Sequence, residues 1–499
     1  MENTDKNEST RNMENTDKDE STRNMENTNK NENTKNIGKT KNKKILICIT
    51  VVALIAVTAL IFLLITPKSA LTPYSYFENL DGTYTLYKVN DPSNLKGNIT
   101  IPTEYKGAAV TAIDDDAFSE CTLLTGVTIP DSVKSIGYGA FSDCTSLVSV
   151  DIPDSVTTIN SSTFSGCTSL TSIDIPDTAT SISGFSGCTS LTSIDIPDSV
   201  TVIGYDAFSG CTSLTSIDIP DSVTIIGHDA FSGCTSLTSI DIPDSVSIID
   251  DTAFSGCTSL TSIVIPESVT SIGDNAFGEC TALTSVYYNG NADGWVSIEF
   301  RSPMLLDGMN LYFGENPVTN VTLSDSVTKI NKYAFSNCTS LANITIGNSV
   351  TSIGGGAFAK CRSLTSIVIP DSVTNIDSSA FSNCTSLKTV EIGNSVTYIG
   401  SNAFNNCSSL TSITIDSPLE YISEQAFKDC TALRSVTIPS TITKIEAQAF
   451  INCTLLDEII FLGTTEQFKD IYKGIYWEYG IPCKNVRCTN GSVSIKVQY

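Results

Sequence analysis

CTSLTSIDIPDSVTIIGHDAFSG occupies residues 211–233, and CTSLTSIDIPDSVSIIDDTAFSG follows at once over 234–256, with Cys257 opening the next copy. Cysteines recur at 121, 144, 167, 188, 211, 234, 257 and 280, and again at 338, 361, 384, 407, 430 and 453. Inside both runs the step is 23, except for 21 between Cys167 and Cys188. A fixed period of this size, with Leu and Ile at set offsets, is the pattern of a solenoid, in which each coil buries its apolar face only against its neighbours. Within one coil, Leu214, Ile217 and Ile219 alternate as a short strand whose inward residues are apolar. Pro220, Asp221 and Ser222 end that strand, Val223, Ile225 and Ile226 begin the return, and Ala230 with Phe231 closes it. Stacked copies should form parallel sheets at a spacing of about 4.8 Å, each inward residue standing on its own homologue. A Phe stands three residues before every one of these fourteen cysteines, from Phe118 to Phe450.

The cysteine spacing decides between two chemistries. Metal sites use paired spacings such as C-x-x-C, and no ladder cysteine has a ladder neighbour closer than 21 residues. A column of buried, reduced thiols is therefore expected. Cys483 and Cys488 stand outside the ladder, and in an extracellular segment that pair is a disulfide candidate.

The unit F-x-x-C-x-S-L-x-x-I-x-I-P-x-S-V-T-x-I-G resembles the BspA-like (Treponema pallidum-type) leucine-rich repeats over Asn98 to about Phe461. The resemblance implies a leucine-rich-repeat solenoid of the α/β type with stacked short parallel strands. It also implies a surface-exposed role in binding host, matrix or other cell proteins. It brings no catalytic residue and no cofactor.

The rest of the chain divides around that array. Residues 1–36 are three 12-residue polar copies, beginning MENTDKNESTRN, too poor in apolar groups to offset their ordering entropy. They read as part of a disordered cytoplasmic tail over 1–44. Residues 45–66 (ILICITVVALIAVTALIFLLIT) carry no charge. At 1.5 Å per residue they would span roughly 33 Å, enough for the hydrocarbon core. Lys39, Lys41, Lys43 and Lys44 precede them and Lys68 alone follows, so the expected arrangement is an uncleaved single-pass signal anchor at the cell membrane. The N-terminus would then be cytoplasmic and the solenoid extracellular. Residues 67–97 read as an N-terminal cap, 98–286 as a first array, 287–317 as a variant aromatic coil, 318–460 as a second array and 461–499 as a C-terminal cap. The variant and the C-terminal stretch share a plan: Gly290 and Trp295, like Gly463 and Phe468, are five apart, and Ile298 and Ile471 follow three later. Such a module is either a helical cap or, through Tyr287, Tyr288, Trp295 and Phe300, an aromatic binding site.

Charge sharpens the functional reading. The whole chain carries −25, and residues 45–499 hold 19 basic against 45 acidic groups, a balance that repels phosphate backbones and disfavours nucleic acid. The outward position of the strand is Asp in five successive coils, Asp151, Asp174, Asp195, Asp218 and Asp241. Their mutual repulsion in water is about 0.8 kcal/mol per neighbouring pair, so the column stands without any ligand. It reads either as a solvated face or as a concave stripe for a basic partner or Ca2+. The single histidine, His228, has no second histidine for a metal and sits in an expected loop. No phosphate loop or metal-spaced cluster accompanies it, which leaves no enzyme reading. The expected activity is adhesion to a protein ligand on a host, matrix or neighbouring cell, with a structural spacer or Ca2+-dependent assembly module as the alternative.

Overall fold

The computed structural model describes residues 73–495, so the polar tail and the apolar stretch 45–66 lie outside the described residues. Among the described residues no helix is long and apolar enough to cross a membrane. The described residues form one unit, a β-solenoid.

Each coil has a return-side strand and a turn stack, and part of the array also has paired strands on the opposite face. On the return side, two-residue strands at Thr158–Ile159, Ser181–Ile182, Val202–Ile203, Ile225–Ile226, Ile248–Ile249, Ser271–Ile272 and Glu299–Phe300 pair in parallel as one seven-stranded sheet. Lys329–Ile330, Ser352–Ile353, Asn375–Ile376 and Tyr398–Ile399 form a second such sheet, and Tyr421–Ile422, Lys444–Ile445 and Tyr472–Lys473 a third. The glycine after the isoleucine lets the coils approach: a Cβ on Gly227 would lie 2.9 Å from the backbone of Gly204.

The turn between the return strand and the cysteine is the most regular part. Phe118, Phe141, Phe164, Phe185, Phe208, Phe231, Phe254 and Phe277 stack with successive centroids 4.9–5.7 Å apart. Phe335, Phe358, Phe381, Phe404, Phe427 and Phe450 repeat the stack at 5.2–5.7 Å. The backbone locks the rings in place. The N–H of Phe208 donates to Ala230 O in the next coil at 2.7 Å, and that of Gly210 to Ser232 O at 2.7 Å. The Cys234 thiol donates back to Phe208 O at 3.1 Å. Twelve ladder thiols make this same bond, all at 3.0–3.3 Å, so the column is a set of interior hydrogen-bond donors. Burial pushes Cys188, Cys234, Cys384 and Cys430 up to about 12, which leaves almost no thiolate near neutrality and hence little reactivity.

Two sequence expectations change here. The repeat is not of the α/β type: α-helix among the described residues is limited to Ala292–Ser297 and Thr465–Asp470. Left-handed residues explain this. In the 211–233 coil Asp206 and Gly210 before it, and Asp229 and Gly233 within it, all have φ between 53 and 71°, which breaks any helix across D-A-F-S-G. The second change is that Cys483 and Cys488 are both free thiols. Cys488 ends the strand Asn485–Cys488, which pairs antiparallel with Gly491–Ser494. Five residues of largely extended chain cover about 16 Å, far beyond the roughly 7 Å Cα limit of a disulfide.

Aromatic side chains cover the stack ends. Tyr74, from a hairpin of Tyr74–Glu78 and Tyr84–Val89, lies 5.7 Å from Phe118, and Trp477 meets Phe450 edge-on at 6.5 Å. Replacing Phe231, whose ring is sandwiched between Phe208 and Phe254, by Ala should cost about 3–5 kcal/mol in denaturant unfolding. A loss below 1 kcal/mol would show that the stack contributes little.

Candidate functional site

The exposed strand face carries the five aspartates, and all five side chains are exposed. Backbone pairing on this face is not continuous. Lys96–Thr100, Leu123–Thr128 and Ser149–Asp151 form a three-stranded parallel sheet in which Thr128 faces Asp151. It stops there. Through the coils of Asp174, Asp195, Asp218 and Asp241 no strand is present on this face, although Ile173, Ile194, Ile217 and Ile240 stay buried. Pairing resumes at Ser262–Ile265, where the outward residue is Val264, and runs on through Ser285–Tyr288 and Asn310–Phe313. Thr345, Val368, Glu391, Thr414 and Thr437 in the later coils all lie in paired strands. Wherever Asp would face Asp, the ladder is absent. Like charges directly opposite destabilise a pair and Asp disfavours strand backbone, which fits these gaps, although the ladder also breaks between the uncharged Thr345 and Val368 coils.

The same outward column then changes character. Register places Val264 beside Tyr287 and Tyr287 beside Tyr312, whose rings stack at 4.7 Å. Of the four candidate aromatic residues only Tyr287 is on the surface. Tyr288 takes the inner slot beside Ile265, and Phe300 the inner slot of the return strand beside Ile272. Trp295 packs between them at 5.3 and 5.1 Å and its indole N–H donates to Ala334 O at 2.6 Å. Tyr288, Trp295 and Phe300 are thus core, which corrects the four-residue aromatic site. The helix that carries Trp295 is capped by Asn291, which accepts from Gly294 N at 3.0 Å, and the Thr465–Asp470 helix by a Thr464–Gln467 capping box.

His228 packs on Tyr205 at 5.1 Å and its Nδ1 meets Asp229 at 2.7 Å, on the surface. Among the described residues no three His, Cys, Asp or Glu side chains come together as a metal site. Charge is also unevenly divided: residues 98–286 hold 2 Lys+Arg against 24 Asp+Glu, and residues 318–460 hold 8 against 11. Sequence reasoning passed over one further feature, a cleft of about 660 Å3 between the two arrays beside Lys329 and Tyr333. The signal for it was the run Gly354–Gly356 and a Tyr where other coils carry small or polar residues.

Comparison with known proteins adds the lineage. The model of the BspA type leucine rich repeat region matches residues 93–184, 181–297, 308–431 and 351–479. The chain belongs to the BspA-type leucine-rich repeat family. Among solved structures it is similar to a leucine rich cell surface protein from Faecalibacterium prausnitzii, at 31% identity over 80% of this chain and 96% of that one, with a TM-score of 0.40. It is also similar to a leucine-rich repeat protein from Bacteroides ovatus, at 28% identity over 74% of this chain and 94% of that one, TM-score 0.48. The leucine rich repeat protein of T. pallidum shares 28% identity over 43% of this chain and 89% of that one, TM-score 0.32. A comparison with curated proteins gives no match.

The link between charge and pairing is open to test. Replacing Asp195 and Asp218 together by Thr should restore inter-coil hydrogen bonds on this face and raise stability by about 0.2–1 kcal/mol for the pair. Amide exchange over residues 192–220 that is unchanged in the variant would show that charge does not set the pairing.

Proposed function

We propose that this chain is a membrane-anchored, non-catalytic surface protein that binds a basic protein partner on a host, matrix or neighbouring cell. One observation carries the reading: five exposed aspartates follow one another up the strand face of an array with 24 acidic and 2 basic groups. Such a field draws cationic partners and repels anionic ones, and a repeated face offers many equivalent contacts. The stacked pair Tyr287 and Tyr312 continues that column, where rigid amphipathic rings supply the desolvated contact that charges alone lack. On this reading residues 45–66 are the anchor, with the N-terminus cytoplasmic and the solenoid outside, an orientation that the lysines before the apolar stretch support. Family membership and the surface location named for the F. prausnitzii protein support the same direction.

The test is to present the full chain to immobilised matrix and host-cell proteins, ordered by their net charge. Saturable binding to basic partners is expected. It should weaken steeply with added salt and fall by about tenfold or more when Asp151, Asp174, Asp195, Asp218 and Asp241 are all changed to Asn. Binding indifferent to salt and to the five substitutions would overturn the assignment of this face.

A further inference from the structure

The cleft between the arrays lies on the return side of the coils, away from the acidic column. The strand Glu299–Phe300 ends the first return sheet, and Lys329–Ile330 begins the next without pairing to it. The Ala292–Ser297 helix is inserted at this point, and Asn331 bonds to it through its backbone N–H to Val296 O at 3.0 Å and its amide to Ser297 O at 2.8 Å. The stack therefore opens on one side, leaving about 660 Å3, within the range of about 300–1,000 Å3 common for small-ligand sites.

Three features of the lining go beyond an accidental gap. Tyr333 forms one wall in a left-handed conformation, φ 61°, at the position two before the ladder Phe. Other coils fill that position with Gly, Asp, Asn, Ser, Thr or Gln, and a bulky ring there is an outlier that carries backbone strain. Its ring rests on Gly356, where an added Cβ would lie 2.8 Å from it. Next to it, Gly355 has no left-handed backbone, and an added Cβ would make a single close contact, with Ser378 O at 3.3 Å. The equivalent residues one period away are Lys332 and Ser378, so the missing side chain at Gly355 is what leaves the floor of the cleft open.

The polar groups decide the ligand class. Lys329 and Lys332 are balanced by Glu299 and Asp377. Arg301 is already held by both carboxylate oxygens of Asp251 at 2.9 Å. The lining thus has no surplus charge with which to select an ion. No aliphatic side chain lines it, and Phe300 is itself fully buried, so it lacks the apolar pocket a peptide anchor needs. What remains is the half-buried Tyr333 ring, with the Lys332 ammonium 5.8 Å from its centroid for a ligand to displace, beside closely spaced donors and acceptors. Vicinal sugar hydroxyls both donate and accept, and the C–H face of a pyranose packs on an aromatic ring.

We propose that this cleft binds an uncharged pyranose saccharide, with Tyr333 as the stacking platform and Lys329, Lys332, Glu299 and Asp377 as hydrogen-bonding partners for its hydroxyls. The experiment is calorimetric titration of the full chain with neutral hexose and N-acetylhexosamine tetrasaccharides, alongside a hexuronate tetrasaccharide and an acidic peptide. Saturable binding of at least one neutral saccharide is expected. Tyr333→Gly should weaken it by about tenfold or more while holding or raising the unfolding temperature, because glycine relieves the left-handed strain. Gly355→Lys, which installs the side chain that the preceding coil carries, should block it by filling the floor. Absence of neutral-saccharide binding, a preference for the uronate or the peptide, or binding untouched by both variants would each overturn the proposal.

Discussion

The hub of this fold is the backbone of one phenylalanine per coil. Its N–H donates to the coil above, and its carbonyl accepts both the N–H of its own coil's cysteine and the thiol of the cysteine one coil on. Around Phe208 these bonds measure 2.7 Å to Ala230 O, 3.1 Å from Cys211 N and 3.1 Å from the Cys234 thiol. The ring then stands on its homologue at 5.4 Å. Three hydrogen bonds and an aromatic contact converge on a single residue that water does not reach. In such an environment an unpaired donor or acceptor would cost about 1–3 kcal/mol, so the geometry of the turn is not negotiable from coil to coil.

That rigidity gives the remaining faces their freedom. The strand face gives up its backbone ladder through the coils of Asp174 to Asp241 and still keeps Ile173, Ile194, Ile217 and Ile240 buried, because the turn stack and return strands hold the coils in register. A charge column that would destabilise an isolated sheet is tolerated in a solenoid whose cohesion lies elsewhere. The inserted helix at Ala292–Ser297 uses the same tolerance: it interrupts both the Phe stack and the return sheet, and Trp295, Tyr288 and Phe300 fill the interior in their place. The surface product of that repair is the cleft beside Tyr333.

Much of this was legible in the residues. The 23-residue period, the Phe before each cysteine and the L-x-x-I-x-I alternation dictate a stacked β architecture, since each requires a neighbour to bury it. Other features depended on what stands beside what. The repeat of Asp at one offset announced a charged column, but the loss of pairing through those coils depends on how neighbouring strands align, which no single coil displays. Tyr288 and Tyr287 are adjacent and chemically alike, and only register assigns one to the core and the other to the surface. The Cys483 and Cys488 pair read as a disulfide candidate because both stand outside the ladder in a segment expected to be extracellular, whereas the largely extended chain between them holds them apart as free thiols. The cleft was least legible: Gly355 matters only because Lys332 and Ser378 occupy the same slot in the adjoining coils.

Amide hydrogen exchange resolved by residue tests the hierarchy of these contacts most directly. The account predicts the slowest exchange at the turn amides of Phe208, Gly210, Phe231 and Gly233, each bonded across coils at 2.7 Å, and fast exchange at Asp218 and Ile219 on the strand face of the same coil. Equal protection on both faces, or turn amides that exchange before those of the strand face, would contradict it.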